Sequence, residues 1–135
     1  MENKLEALLS SKTIEDLKKY DLYDSSNEII NTTFMINIDE NDFKNMVNDK
    51  NICAYINQNI NTIDDIKINV VSKIEESKNY NGFILIRGNF STPLNICDEI
   101  IKYVDKYLNK EISFIFGFDV TYQGPGLKIT SIITD

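Results

Sequence analysis

The segment Gly82–Gly88 reads GFILIRG, and Phe83–Ile86 form a continuous apolar run within it. A short unbroken run of this kind is typical of a β-strand buried on both faces, because a half-exposed strand would alternate apolar and polar side chains. The next segment, Thr92–Leu108, opens with a Thr-Pro pair that is typical of a helix start. It carries an apolar stripe at helical spacing, formed by Leu94, Cys97, Ile101, Val104 and Leu108. We therefore predict a buried strand followed by a helix that packs on the sheet.

Two further apolar segments lie downstream of this helix. Ile112–Val120 is rich in Ile and Phe, and Leu127–Thr134 is rich in Ile and Thr, all residue types that favour strands. Between them, residues 123–126 read QGPG, which is a strong turn signal. The pattern predicts that the last two strands form an antiparallel hairpin.

Upstream of Gly82 the predicted secondary structure changes between strand and helix over shorter segments. Ile52–Ile56 reads as a strand, and Thr62 with Asp65 forms a capping box. We predict that this box opens a helix whose apolar face contains Ile63, Ile66, Val70 and Ile74. Asp39 is a predicted N-cap for a shorter helix that carries Phe43, Met46 and Val47. Short helical pieces precede Phe34.

The order of these elements predicts the fold class. Strands that alternate with helices imply crossover connections and partly parallel pairing, whereas the final two strands imply antiparallel pairing. We predict an α/β (α+β) fold with a mixed four-stranded sheet and helices packed on it. A helical segment, 1–33, would precede the sheet domain, 34–135.

Composition excludes several classes of function. The apolar fraction is 42%, and the formal net charge of −7 disfavours binding to nucleic acid or to an anionic membrane. The chain has no His and only two Cys, so no metal site is predicted. Cys97 falls on the apolar stripe and is expected to be a core residue. No apolar run approaches the ~20 residues of a membrane-spanning helix, and we predict a cytoplasmic protein.

Five segments, in order along the chain, resemble the C-terminal domain of FtsZ, the bacterial relative of tubulin. Asn37–Asp42 (NIDEND) fits the N-x-D-x-x-D pattern of the family's synergy loop. Gly82–Gly88 resembles the strand GVLVNITG, and Glu99–Ile101 matches the EII of the following helix. Ile112–Gly117 is similar to ANIIFG, and Leu127–Thr134 is similar to VRVTVIAT. The resemblance implies an FtsZ C-terminal-domain-like fold.

The sequence also departs from the family in several places. Phe34 occupies a position where FtsZ usually has Gly, and Gly is absent before Gly82, so no Gly-rich phosphate-binding segment is present. The family's central helix is at most half present, in Ser26–Thr33, and nothing resembles the C-terminal tail of FtsZ. We expect a small natural protein, with a fragment of a longer protein as the alternative, that binds no nucleotide itself and has no GTPase activity alone.

In FtsZ, the synergy loop enters the nucleotide pocket of the next subunit. The resemblance therefore implies that Asp39 and Asp42 could act catalytically in trans on GTP held by a partner. Asn37, Phe34 and Asn41 would contact that partner. The alternative interpretation is that both acids only cap a helix and complement its dipole.

Three functions follow from this sequence. The first is an interaction module that docks on an FtsZ-like protein of the cell-division cytoskeleton, or on another copy of itself. The second is activation of a partner's GTP hydrolysis by the synergy-loop carboxylates. The third is an unrelated small α/β ligand-binding protein, because small sheets of this kind serve many tasks.

Overall fold

The computed structural model describes residues 3–31, 38–89, 91–108 and 112–135. Within these ranges, four α-helices precede the first strand, and a fifth lies between the third and fourth of five strands. The helices are α1 (Lys4–Leu8), α2 (Ser11–Lys19), α3 (Tyr23–Asn31), α4 (Glu40–Val47) and α5 (Asn95–Leu108). The strands are β1 (Ile52–Ile60), β2 (Asn69–Val70), β3 (Tyr80–Arg87), β4 (Ile112–Asp119) and β5 (Leu127–Thr134).

The sheet has the strand order β2-β1-β5-β3-β4. β3 and β4 are parallel, and α5 provides the crossover between them. β5 is antiparallel to both of its neighbours, β1 and β3. The predicted mixed sheet is therefore confirmed, with five strands instead of four because β2 adds a short edge strand.

The predicted hairpin between the last two strands is wrong. β5 lies between β1 and β3, so it is separated from β4 by one strand. The segment after β4 crosses the end of β3, where the Tyr122 N–H donates to the Gly88 carbonyl at 3.1 Å. Every residue of β5 except Lys128 is buried, and burial on both faces suits a central strand better than one arm of a terminal hairpin.

The predicted helix after Thr62 is also wrong. Its capping box is present, but only one 3₁₀ turn, Ile63–Asp65, follows it. The Gln58 side-chain amide then makes two hydrogen bonds to the backbone after this turn. It donates to the Asp65 carbonyl at 2.8 Å and accepts from the Lys67 N–H at 2.9 Å. These bonds lead the chain into β2 and its pairing with β1, which competes with a helix.

The apolar side chains form two cores, one on each face of the sheet. The α5 core contains Ile84 and Ile86 of β3, and the core under α1–α4 contains Phe83 and Leu85 of the same strand. This alternation confirms that the GFILIRG segment forms a strand buried on both faces. Helix α5 buries Cys97, Ile100, Val104 and Leu108. Leu94, which was predicted on the stripe, precedes the helix and is exposed. Ile100 is fully buried, and Ile101 is partly buried against the same core.

The N-terminal helices share their core with the sheet. Leu5, Leu17 and Leu22 are fully buried in the same cluster as Phe43 and Phe83. The structure is thus a three-layer arrangement of α1–α4, the sheet and α5. The division into residues 1–33 and 34–135 stays a prediction.

Candidate functional site

The N-terminus of α4 carries the predicted site residues that the structure describes. Asp39 is the N-cap, and its Oδ1 accepts the Asn41 N–H at 2.8 Å and the Asp42 N–H at 3.4 Å. The Asp39 backbone carbonyl begins the helix by accepting the Phe43 N–H at 2.9 Å. The capping prediction for Asp39 is confirmed. Asn37 and Phe34 lie outside the described residues, so their partner-binding roles stay predictions.

The buried side of α4 fixes this helix to the sheet. Phe43, Met46 and Val47 are buried, and the Phe43 ring lies 5.3 Å from the Phe83 ring, centroid to centroid. At the other end of the helix, Thr134 Oγ1 donates to the Met46 carbonyl at 2.6 Å. Apolar contacts and a buried hydrogen bond therefore hold α4 in place over β3 and β5.

The opposite side of α4 presents polar groups to solvent. Asp39, Asn41 and Asp42 are exposed. Glu40 is engaged, because its carboxylate lies 2.8 Å from Lys4 Nζ, which also donates to the Ile30 carbonyl. The Asp42 carboxylate makes no hydrogen bond or ion pair with any residue that the structure describes. We call Asp39, Asn41 and Asp42 the α4 polar surface.

The two carboxylates of this surface differ in what they can do chemically. One oxygen of Asp39 is occupied by the helix cap, whereas Asp42 is available to a partner group. Within the described ranges, no cluster of three or more acidic or cysteine side chains is arranged to hold a metal ion. The surface can accept hydrogen bonds and orient a water molecule.

Substitution of Asp39 should separate its capping role from its charge. Asp39→Ala is expected to destabilise the protein by about 1 kcal/mol, because it leaves two N–H groups of α4 without an acceptor. Asp39→Asn removes the charge but keeps a good N-cap, so its stability should stay close to that of the wild type. Urea unfolding measures both; an equal loss for the two variants would contradict a capping role.

A second polar cluster lies at the carboxyl ends of β3 and β4, which are paired so that Arg87 stands beside Asp119. Arg87 Nε donates to Asp119 Oδ2 at 3.1 Å, and its NH1 bonds to Glu28 of α3. The Arg87 guanidinium also lies over the Tyr122 ring, 5.4 Å from its centroid. This cluster ties the helical layer to the sheet.

Asp119 remains ionised although it is only 2% exposed. Burial opposes its ionisation, but hydrogen bonds from Thr121 and the bond and charge of Arg87 outweigh it and lower the pKa. The cluster was not predicted from the sequence. The sequence does show one charged residue at the end of each of two apolar strands. Pairing these two residues, however, requires knowledge of the register of β3 against β4.

Neither of the two cysteines is an activated nucleophile. Burial raises the pKa of the Cys97 thiol to about 11, and it also raises the pKa of Cys53. A thiol with so high a pKa is almost fully protonated near pH 7 and is therefore a poor nucleophile. The prediction that Cys97 is a core residue is confirmed. Among the helices that the structure describes, none is long and apolar enough to cross a membrane.

One open cleft lies at the opposite end of β1 from the QGPG turn. Its volume is about 450 Å³, and its lining includes three lysines and three acids. Lys78 and Asp135 pair across it at 3.3 Å. Burial acts against the ionisation of Asp135, yet hydrogen bonds from Lys78 and Asn51 leave its pKa lowered. Because opposite charges balance, the cleft does not select an anionic or a cationic ligand.

Comparison with solved structures gives a likeness that concerns the fold. The chain is similar to a mutant of FtsZ from M. jannaschii, with a TM-score of 0.54 and 14% sequence identity. The match covers 93% of this chain and 41% of that chain, so the chain spans about two fifths of the length of that FtsZ. No family model and no curated protein matches the sequence. The chain therefore has an FtsZ-like fold.

Proposed function

We propose that this chain corresponds to the C-terminal domain of FtsZ and acts as a protein-interaction module. It docks through the α4 polar surface on an FtsZ-like GTPase of the cell-division cytoskeleton and modulates its assembly. The observation that carries the proposal is the position of the synergy-loop-like acids. Asp39 and Asp42 are exposed at the start of a helix that is fixed on an FtsZ-like sheet.

The expected consequence is a block of filament growth. Head-to-tail assembly is a heterologous contact, which makes a filament only when each subunit offers two different faces. A domain that supplies one of those faces occupies a filament end and offers nothing to the next subunit. The α4 polar surface has no cation among its three residues, so it suits a partner face with polar or positive groups.

The test measures, by light scattering, the filament assembly of a purified FtsZ-like GTPase from the same organism. Substoichiometric amounts of this protein should reduce filament growth, and Asp39→Asn with Asp42→Asn should weaken that effect at least about tenfold in concentration. Asp98→Asn is the matched control, because it removes one exposed carboxylate from α5 on the opposite face of the sheet. Unchanged assembly with no detectable binding would refute the proposal.

A second candidate function is supported by the exposed carboxylate of Asp42, which has no partner among the residues that the structure describes. An exposed acid without an internal partner can orient the water that attacks a partner's GTP, and completion of such a site can raise the rate about 10³–10⁵-fold. Blocked assembly predicts lower GTP turnover, whereas activation predicts a rise that Asp42→Asn abolishes and Asp98→Asn does not. Measuring turnover in the same samples distinguishes the two functions.

A further inference from the structure

β4 forms an edge of the sheet. All eight residues of this strand pair with β3 on one side. On its other side, no strand among residues 3–31, 38–89, 91–108 and 112–135 pairs with it. An edge strand presents a row of N–H and C=O groups that can accept another strand.

The sequence of β4 lacks the usual devices that block such pairing. Soluble proteins protect edge strands with charged side chains, prolines or bulges. Residues 112–118 read ISFIFGF and contain no charge and no proline, in a chain with a net charge of −7. The pairing with β3 is continuous, and Asp119 at the end of the strand is already paired with Arg87. Like-charge repulsion between two copies is therefore absent along this edge.

The side chains of β4 are also incompletely covered. Phe114, Ile115 and Phe116 are each only partly buried, although the equivalent central residues of β3 are fully buried. Phe114 and Phe116 pack on the α5 core together with Tyr103, and Ile115 packs on the core under α1–α4. Apolar surface thus reaches solvent on both faces of the same edge.

The order of side-chain sizes along β4 indicates what covers this edge. Around Ile115 the strand is symmetric in size: Phe114 matches Phe116, Ser113 matches Gly117, and Ile112 matches Phe118. Two antiparallel copies centred on Ile115 would place large side chains opposite large ones and small opposite small. They would also keep the even-numbered residues of both strands on the α5 face, because side chains alternate between faces with a period of two.

We propose that two copies of this chain associate through antiparallel pairing of their β4 strands about a two-fold axis at Ile115. The two five-stranded sheets become one continuous sheet, joined by roughly six to eight main-chain hydrogen bonds. This isologous contact involves an edge strand and is independent of the α4 polar surface. It leaves that surface open on both copies.

The test uses opposite charges at the two-fold axis. Ile115→Glu and Ile115→Lys each place two like charges directly opposite each other, and each should weaken self-association at least about tenfold in sedimentation experiments. Mixing the two variants places Glu opposite Lys and should restore the dimer. The matched controls are Val70→Glu and Val70→Lys, because Val70 is 48% exposed on β2 at the other edge of the sheet. Both controls should dimerise like the wild type.

Two further measurements keep the proposal testable if the Ile115 variants fold poorly. Ser113 is exposed, so Ser113→Lys should fold and should weaken the dimer by adding a charge to the edge. Amide exchange along β4 in the wild type should slow as the concentration of protein rises. A monomeric wild type, a dimer insensitive to Ser113→Lys, or folded Ile115 variants that do not recombine would overturn the proposal.

Discussion

Replacing Phe43 with alanine is expected to destabilise the protein by about 3–5 kcal/mol, because the substitution leaves a large cavity in a closed core. Phe43 is fully buried and its ring packs against Phe83 between α4 and the sheet. Loss of this contact should also loosen the helix that carries Asp39 and Asp42. Urea unfolding measures the stability, and amide exchange along α4 measures the loosening.

Phe83→Ala and the double variant serve as controls for this prediction. Phe83→Ala makes a cavity in the same core from the sheet side, so it should cost a similar free energy without changing α4 itself. The double variant should lose less free energy of unfolding than the sum of the losses in the two single variants, because either single variant already removes the contact between the two rings. Purely additive losses would show that the two rings do not stabilise each other.

Replacing Asp119 with alanine is expected to cost about 3 kcal/mol, because it removes the buried carboxylate of an ion pair together with the hydrogen bonds that this carboxylate accepts from Arg87 and Thr121. Arg87 would keep its bond to Glu28, but Glu28 is far more exposed than Asp119. Glu28→Gln is therefore the matched control, with an expected loss below about 1 kcal/mol. Equal losses for the two variants would contradict the central role of Asp119.

The lowered pKa of Asp119 gives this contribution a defined pH dependence. The folded state binds the proton more weakly than the unfolded state, so the stabilisation is complete above the ordinary Asp pKa of about 3.9. It is lost as the pH falls through the lowered folded-state pKa. The difference in unfolding free energy between the wild type and Asp119→Asn should be largest near pH 7 and should shrink towards pH 3.

The segments that could be predicted from sequence are those whose local pattern agrees with their tertiary position. The GFILIRG strand, helix α5 and the Asp39 cap belong to this group. Burial on two faces, an apolar helical stripe and a capping acid each produce a pattern in a short stretch of sequence. β5 was also located correctly from its apolar residues. These segments supplied the fold class.

Errors arose where distant residues determine the structure. The region after Thr62 has helical spacing, but Gln58 and the pairing of β2 with β1 direct it into a 3₁₀ turn and a strand. The hairpin prediction assumed that neighbours in sequence pair in space. Arg87 and Asp119 were missed because they are 32 residues apart and meet only through parallel pairing. At the site, the cap was predictable from the Asp39 side chain, whereas the lack of a partner for Asp42 among the described residues depends on the tertiary structure.

The central position of β5 has a consequence for the order of folding during synthesis. β5 pairs with β1 through contacts that join residues 52–60 to residues 127–134. A ribosome that adds about 5–20 residues per second needs roughly 3–13 s to proceed from residue 60 to residue 127. During that interval β1 cannot reach its main partner, and β3 can pair only with β4. The chain therefore emerges with two separate half-sheets, and protection of β1 by a chaperone would matter most in those seconds.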